Sequence, residues 1–139
     1  MRVLFALILG LAGCAATPVP ENHDSVVVVS RGELGTFSAH INGDDRVTVW
    51  HQTGIPGQPE PEPQVIAGAY ARALEVVRST GPAAMAAAGP AGQACYDWGH
   101  DMVRVLPPLP EFDAFVRECP TPALTQLMVD VLAAVPVTP

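Results

Sequence analysis

The chain has no lysine. Its 139 residues carry 7 basic side chains, all arginine, against 14 acids, for a formal net charge of −7. So acidic a balance argues against nucleic acid as a partner and against direct attraction to anionic lipid. Cysteine is scarce as well: Cys14, Cys95 and Cys119 are the full set. Several catalytic signatures are missing. There is no phosphate-binding loop, no HExxH and no dinucleotide fingerprint, and Ser25, Ser30, Ser38 and Ser79 lack a nucleophile-elbow context. No cofactor is implied. An enzyme would need a site assembled from distant loops. The apolar runs are short too, and none approaches the length that spans about 30 Å of hydrocarbon as a helix.

The longest apolar run opens the chain. Arg2 supplies a positive start, Val3 to Leu11 follows, and Leu11-Ala12-Gly13-Cys14 closes it. Its length suits a signal-peptide core followed by small residues at a processing site. These residues resemble a bacterial lipoprotein signal peptide with its lipobox. The resemblance implies cleavage before Cys14, a diacylglyceryl thioether on that sulfur and usually an acyl chain such as palmitate on the new amino group. With Ala15 rather than Asp after the cysteine, it implies a lipid-anchored protein of the cell envelope, at the outer membrane facing the periplasm if the host is Gram-negative. Two or more acyl chains make a stable anchor, at about 0.8 kcal/mol per buried methylene.

Three segments follow: residues 1–13 as signal peptide, 14–24 as a lipidated tether kept extended by Pro18 and Pro20, and 25–139 as one domain. Removing 13 of 139 residues leaves 126, enough for one modest core, and a hydrophobic fraction of 49% is ordinary for a globular chain. With Cys14 given to lipid, Cys95 and Cys119 are the remaining pair in an oxidising compartment. A disulfide is the default there, closing a loop of about 25 residues and stabilising by about 3–4 kcal/mol in the chain-entropy model. Two buried thiols or a metal pair are the alternatives. Cys119 has no ligand-type neighbour at metal spacing.

Val26 to Val29 are four β-branched residues in a row, predicting a strand buried on both faces and central in its sheet. Residues 34–41 and 46–51 predict a hairpin about Asn42-Gly43-Asp44-Asp45. Pairing Ala39 with Val47 and Phe37 with Val49 puts one apolar set on the core side, and the loop is expected to be odd-numbered. Trp50 then shares the other face with Thr48 and Arg46, while His40 and His51 fall on opposite faces. Four prolines between residues 53 and 63 make a stiff acidic connector. Residues 64–79 predict a helix with Ile66, Tyr70, Ala73, Leu74 and Val77 inward, ended by Gly81-Pro82. Residues 83–88 hold at most one further turn.

Residues 93–96 and 102–106 predict a second hairpin across Asp97-Trp98-Gly99-His100-Asp101. Met102, Arg104 and Leu106 lie on one face, Val103 and Val105 on the other. Residues 111–119 predict a short helix with Phe112, Phe115, Val116 and Cys119 inward. Thr121 is a plausible N-cap with Pro122 behind it. The helix after them carries Leu124, Leu127, Met128, Val131, Leu132 and Val135 on one face, and Pro136 stops it. The sum is an α+β domain: an antiparallel sheet of about five strands with two to three helices on one face. The order of strands, helix, strands, helix, with glycine-containing turns at Gly32, Gly35 and Gly43-Asp44, resembles small emfourin-type protease inhibitors. That resemblance implies a fold and not an activity, because no inhibitory motif is present.

Chemistry has one candidate locus. Asp97, His100 and Asp101 place two carboxylates and an imidazole within five residues, which could bind metal or serve acid–base catalysis. A polar hairpin turn, in which the aspartates satisfy backbone N–H groups, explains the same residues. No calcium-loop spacing is present, and no metal site is expected. Trp50 and Trp98 are candidate contacts for a protein partner in the envelope, because aromatic side chains are common interface anchors. The expected function is therefore a small membrane-anchored binding or accessory module. The alternatives are a metal-binding protein or hydrolase at the 97–101 turn, and a passive structural lipoprotein.

Overall fold

A computed structural model describes residues 25–32, 36–52, 59, 61–90 and 100–137. The elements run β1 (Val26–Arg31), β2 (Thr36–Asn42), β3 (Arg46–Gln52), β4 (Gln64–Val65), α1 (Ala69–Ala88), β5 (Asp101–Leu109), β6 (Phe112–Arg117) and α2 (Pro122–Ala133). The strands form one six-stranded antiparallel sheet in the order β4-β3-β2-β1-β5-β6. Both helices pack on one side of it, so the class is α+β with one strand more than the sequence predicts.

The valine run lies where its pattern predicts. β1 sits inside the sheet, with Val27 and Val29 fully buried on the helix side and Val28 only 9% exposed on the other. Alternation accounts for the neighbours. Ala39, Ile41, Val47, Val103 and Val105 are buried on the same side as Val27. Leu124, Leu127, Met128 and Val131 close over them from α2. Thr121 caps α2, its hydroxyl accepting from the Leu124 amide at 3.2 Å, with Pro122 in the first turn.

The first hairpin keeps its predicted faces but shifts register by two residues. Ala39 lies opposite Val49, and Phe37 opposite His51. The connection is the three-residue Gly43-Asp44-Asp45, odd-numbered as expected. The Asp45 amide donates to Asn42 O at 2.9 Å, and Asp45 itself has φ 64°. A turn followed by one left-handed residue is the common three-residue hairpin solution, and Asp tolerates that conformation better than most residues.

Several expectations are corrected. The helix does not begin at residue 64, because Gln64 and Val65 pair with Val47 and Arg46, and Gly68 turns the chain at φ 71°. Nor does Gly81-Pro82 end it; α1 continues to Ala88 with Pro82 inside. Gly81 is buried against β6, where a Cβ would come within 2.7 Å of the Phe112 ring. The glycine is a packing notch and not a stop. The inward stripe of α1 otherwise matches its pattern, with Ala69, Ala73 and Val77 buried and Arg72, Glu75 and Arg78 exposed.

Residues 112–117 form a strand, not a helix. Phe112 and Phe115 are both buried at helical spacing because the β5–β6 ladder is irregular: Val103 pairs with Phe115, Arg104 with Ala114, then Leu109 with Phe112. That irregularity turns Phe112 to the core side and mimics a helical period. β5 therefore pairs with β6 and β1. The predicted 93–96 arm lies outside the described residues. Pro107 and Pro108 do not end β5, because its ladder to β1 ends at Leu106 and its ladder to β6 makes no pair at either proline. Cys119 accordingly follows a strand and precedes α2, rather than sitting between two helices.

Candidate functional site

Asp101 begins β5 on the same face as Val103 and Val105, so alternation carries its carboxylate under the helices. It is fully buried. Arg31 ends β1 beside it, with Nη2 3.5 Å from Asp101 Oδ2. Arg117 lies directly opposite Asp101 across β5–β6. Its guanidinium donates to Gly89 O at 2.8 Å and to Val116 O at 2.9 Å, and rests 4.9 Å from the Phe115 ring centre. The row is thus cation, carboxylate, cation, set at one end of the core. Asp101 Oδ1, Arg31 Nε and Arg117 Nε are buried without a hydrogen-bond partner.

His100, one residue earlier, is exposed. Its Nε2 lies 3.9 Å from Glu118 Oε1, a pairing open to solvent on both sides and therefore weak. The two described members of the predicted trio do not converge: the imidazole meets water while the neighbouring carboxylate is shut inside. Asp97 and Trp98 lie outside the described residues, as does Cys95, the expected partner of Cys119. Among the described residues, no group of three or more His, Cys, Asp or Glu side chains is placed to hold a metal ion. An acid–base role also requires access to substrate, which Asp101 lacks.

Trp50 lies opposite Ser38 on the sheet face that, among the described residues, carries no helix. Its ring centre is 4.5 Å from that of His40, edge to face. Burial holds the His40 pKa below its ordinary value of 6.5, because a charged imidazole would lose its hydration there. His51 falls on the other face against Phe37, with ring centres 5.3 Å apart, so the histidines stand apart as expected.

By register the helix-free face also carries Val26, Val28, Arg46, Val65, Met102, Arg104, Leu106, Ala114 and Val116. No carboxylate belongs to that set. In a chain with twice as many acids as bases, this separation of charge is a property of the strands' alternation. The pairing of Met102, Arg104 and Leu106 on one face was readable in the sequence. The cross-strand companions Ala114 and Val116 were not, because their segment reads as helix. Arg31 and Arg117, which enclose Asp101, had no local signal pointing to it.

One contact controls how the sheet meets α1. The Asp45 carboxylate accepts from the Gly68 amide at 2.6 Å and from the Tyr70 amide at 3.1 Å, and Ile66 N donates to its carbonyl at 3.0 Å. A hairpin residue thereby caps a helix 23 positions further on. At the same end of α1, Arg72 bonds Ala134 O at 2.8 Å and joins α1 to the end of α2. No helix among the described residues is long and apolar enough to cross a membrane. Comparison with known proteins finds no matching family model, no matching curated protein and no matching solved structure.

Proposed function

We propose that this chain is a lipid-anchored envelope protein whose domain works by binding, through the helix-free face of its sheet. The observation that supports this reading is the composition of that face. Trp50 stands against His40, the remaining large side chains are mostly apolar, and the charged groups that the strand pairing places there are Arg46 and Arg104. Tryptophan and arginine are the residue types most often found as binding anchors. The face belongs to a rigid six-stranded sheet, so it is preorganised. The hydrolytic reading loses support, because Asp101 is fully buried beside Arg31 while His100 is exposed.

The lipobox at Leu11–Cys14 carries the anchor, and a disulfide between Cys95 and Cys119 completes the proposal. Membrane fractionation tests the anchor: Cys14→Ser releases the protein into the soluble fraction, and continued membrane association sinks the anchor. Trp50→Ala tests the face. Crosslinking in intact cell envelopes yields adducts through the sheet face that fall several-fold in the variant; unchanged adducts remove the face from the function.

A further inference from the structure

We infer that the ligand of the helix-free face is the lipid surface on which the protein is anchored, so that the sheet lies against the bilayer. The inference rests on the reading of Cys14 as lipidated.

Three large apolar side chains are exposed in the described domain: Val65 at 74%, Val129 at 52% and Leu106 at 41%. Two of them share the sheet face and sit at the same end of it. Val26 lies opposite Leu106 on one side and Asn42 on the other, and Arg46, just across the hairpin turn from Asn42, lies opposite Val65. That row is where the chain enters the fold. Ser25 precedes Val26, and its carbonyl accepts from the Gly43 amide at 2.7 Å. Ten residues separate Cys14 from Ser25, a span of at most about 35 Å. A lipid on Cys14 therefore keeps the apolar end of the face within reach of the bilayer at all times.

The charge pattern suits the same surface. By register the face carries Arg46, Arg104 and His40, although Arg46 shares its charge with Asp44 at 3.4 Å and the exposed Asp113 precedes Ala114 in the irregular part of β6. Arg104 is exposed and beside Val28 in the pairing of β1 with β5. Arginine stems lie along apolar surface with the guanidinium at headgroup level, and tryptophan favours the same interface. The net charge of −7 excludes recruitment over distance, but the acyl anchor performs that step. Contact then occurs within a Debye length, where the local face matters more than the total. The edges of the sheet are poor alternatives for docking. β4 is two residues long and preceded by Pro61 and Pro63, and β6 is flanked by Pro110 and Pro120.

The test places photoreactive benzoylphenylalanine singly at Val65, Leu106 or Val129 of the full lipidated protein. Each variant is reconstituted in vesicles of phosphatidylethanolamine and phosphatidylglycerol. Val129, equally apolar and exposed but on α2, is the control. Lipid adducts at Val65 and Leu106 exceed those at Val129 by at least about fivefold if the face settles into the interface. Equal labelling at all three positions, with acylated Cys14 confirmed by mass, overturns this inference and leaves the anchor intact. The same variants irradiated in intact envelopes supply a second criterion. Dominant adducts to another protein at Val65 and Leu106 overturn the lipid assignment while keeping the face as the binding surface. An unacylated Cys14 removes the anchor and this inference together.

Discussion

Asp45 shows how one residue can serve two elements. Its left-handed backbone closes the β2–β3 turn, and its carboxylate holds the first amides of α1. Asp45→Gly keeps the backbone freedom and removes the cap, so denaturant unfolding should show a loss of about 1–2 kcal/mol. Asp45→Ala adds the left-handed penalty and loses about 1 kcal/mol more. A glycine variant as stable as the parent would mean that the remote cap contributes nothing. His40 supplies a pH signature. Its pKa is lowered by burial from 6.5, so the unfolded chain takes the proton first. Stability is therefore full above about pH 6.5 and falls as pH drops through the folded-state value. Thermal unfolding from pH 7.5 to 5 should show that fall, and His40→Gln should flatten it. A fall of unchanged size in the variant would assign it to another group.

At the scale of elements, the contact between Gly81 and Phe112 decides the course of α1. Alanine in place of a helical glycine is ordinarily stabilising by about 1 kcal/mol. Here the added Cβ meets the Phe112 ring at 2.7 Å, and Gly81→Ala should instead destabilise by about 1–3 kcal/mol. In a Phe112→Leu background the same change should become neutral or favourable; a loss of equal size in both backgrounds would exclude the ring as the cause. The elements differ in how far they could be read in advance. α2 was legible because its six apolar positions, its cap and its stop agree. β1 was legible because a β-branched run needs no partner to be recognised. β6 was not, because the ladder irregularity gives Phe112 and Phe115 a helical spacing. The Gly81-Pro82 pair reads as a stop by local chemistry, and only the ring packed on the glycine shows what the position is for. At the candidate site, the faces of Trp50, His40 and His51 followed from strand alternation. The enclosure of Asp101 did not, since both arginines come from other strands.

For the whole molecule, the layout is one of separated surfaces. One side of the sheet is covered by two helices, with the buried Asp101 beside Arg31 at its end, and the other carries Trp50, arginines and apolar side chains. Cys119 lies in the link between β6 and α2, where a bond to Cys95 would tie the C-terminal helix to the segment before β5. Reduction of the mature domain should then lower its thermal midpoint by about 10–15 °C, from the roughly 3–4 kcal/mol expected for a loop of this length. An unchanged midpoint would show that the two cysteines are not bridged.

The sequence by itself determined the identity of β1, the presence of a turn within residues 42–45, the faces of the first hairpin and the cap and inner face of α2. Each depends on side chains within a few residues of one another, and periodicity records them directly. Tertiary structure decided the length of α1, the strand character of residues 112–117, the burial of Asp101 and which face of the sheet the two described helices cover. Those outcomes rest on contacts between residues far apart in the chain, 23 positions for the Asp45 cap and 70 for the Arg31–Asp101 pair. A local pattern cannot record a partner that only folding brings near.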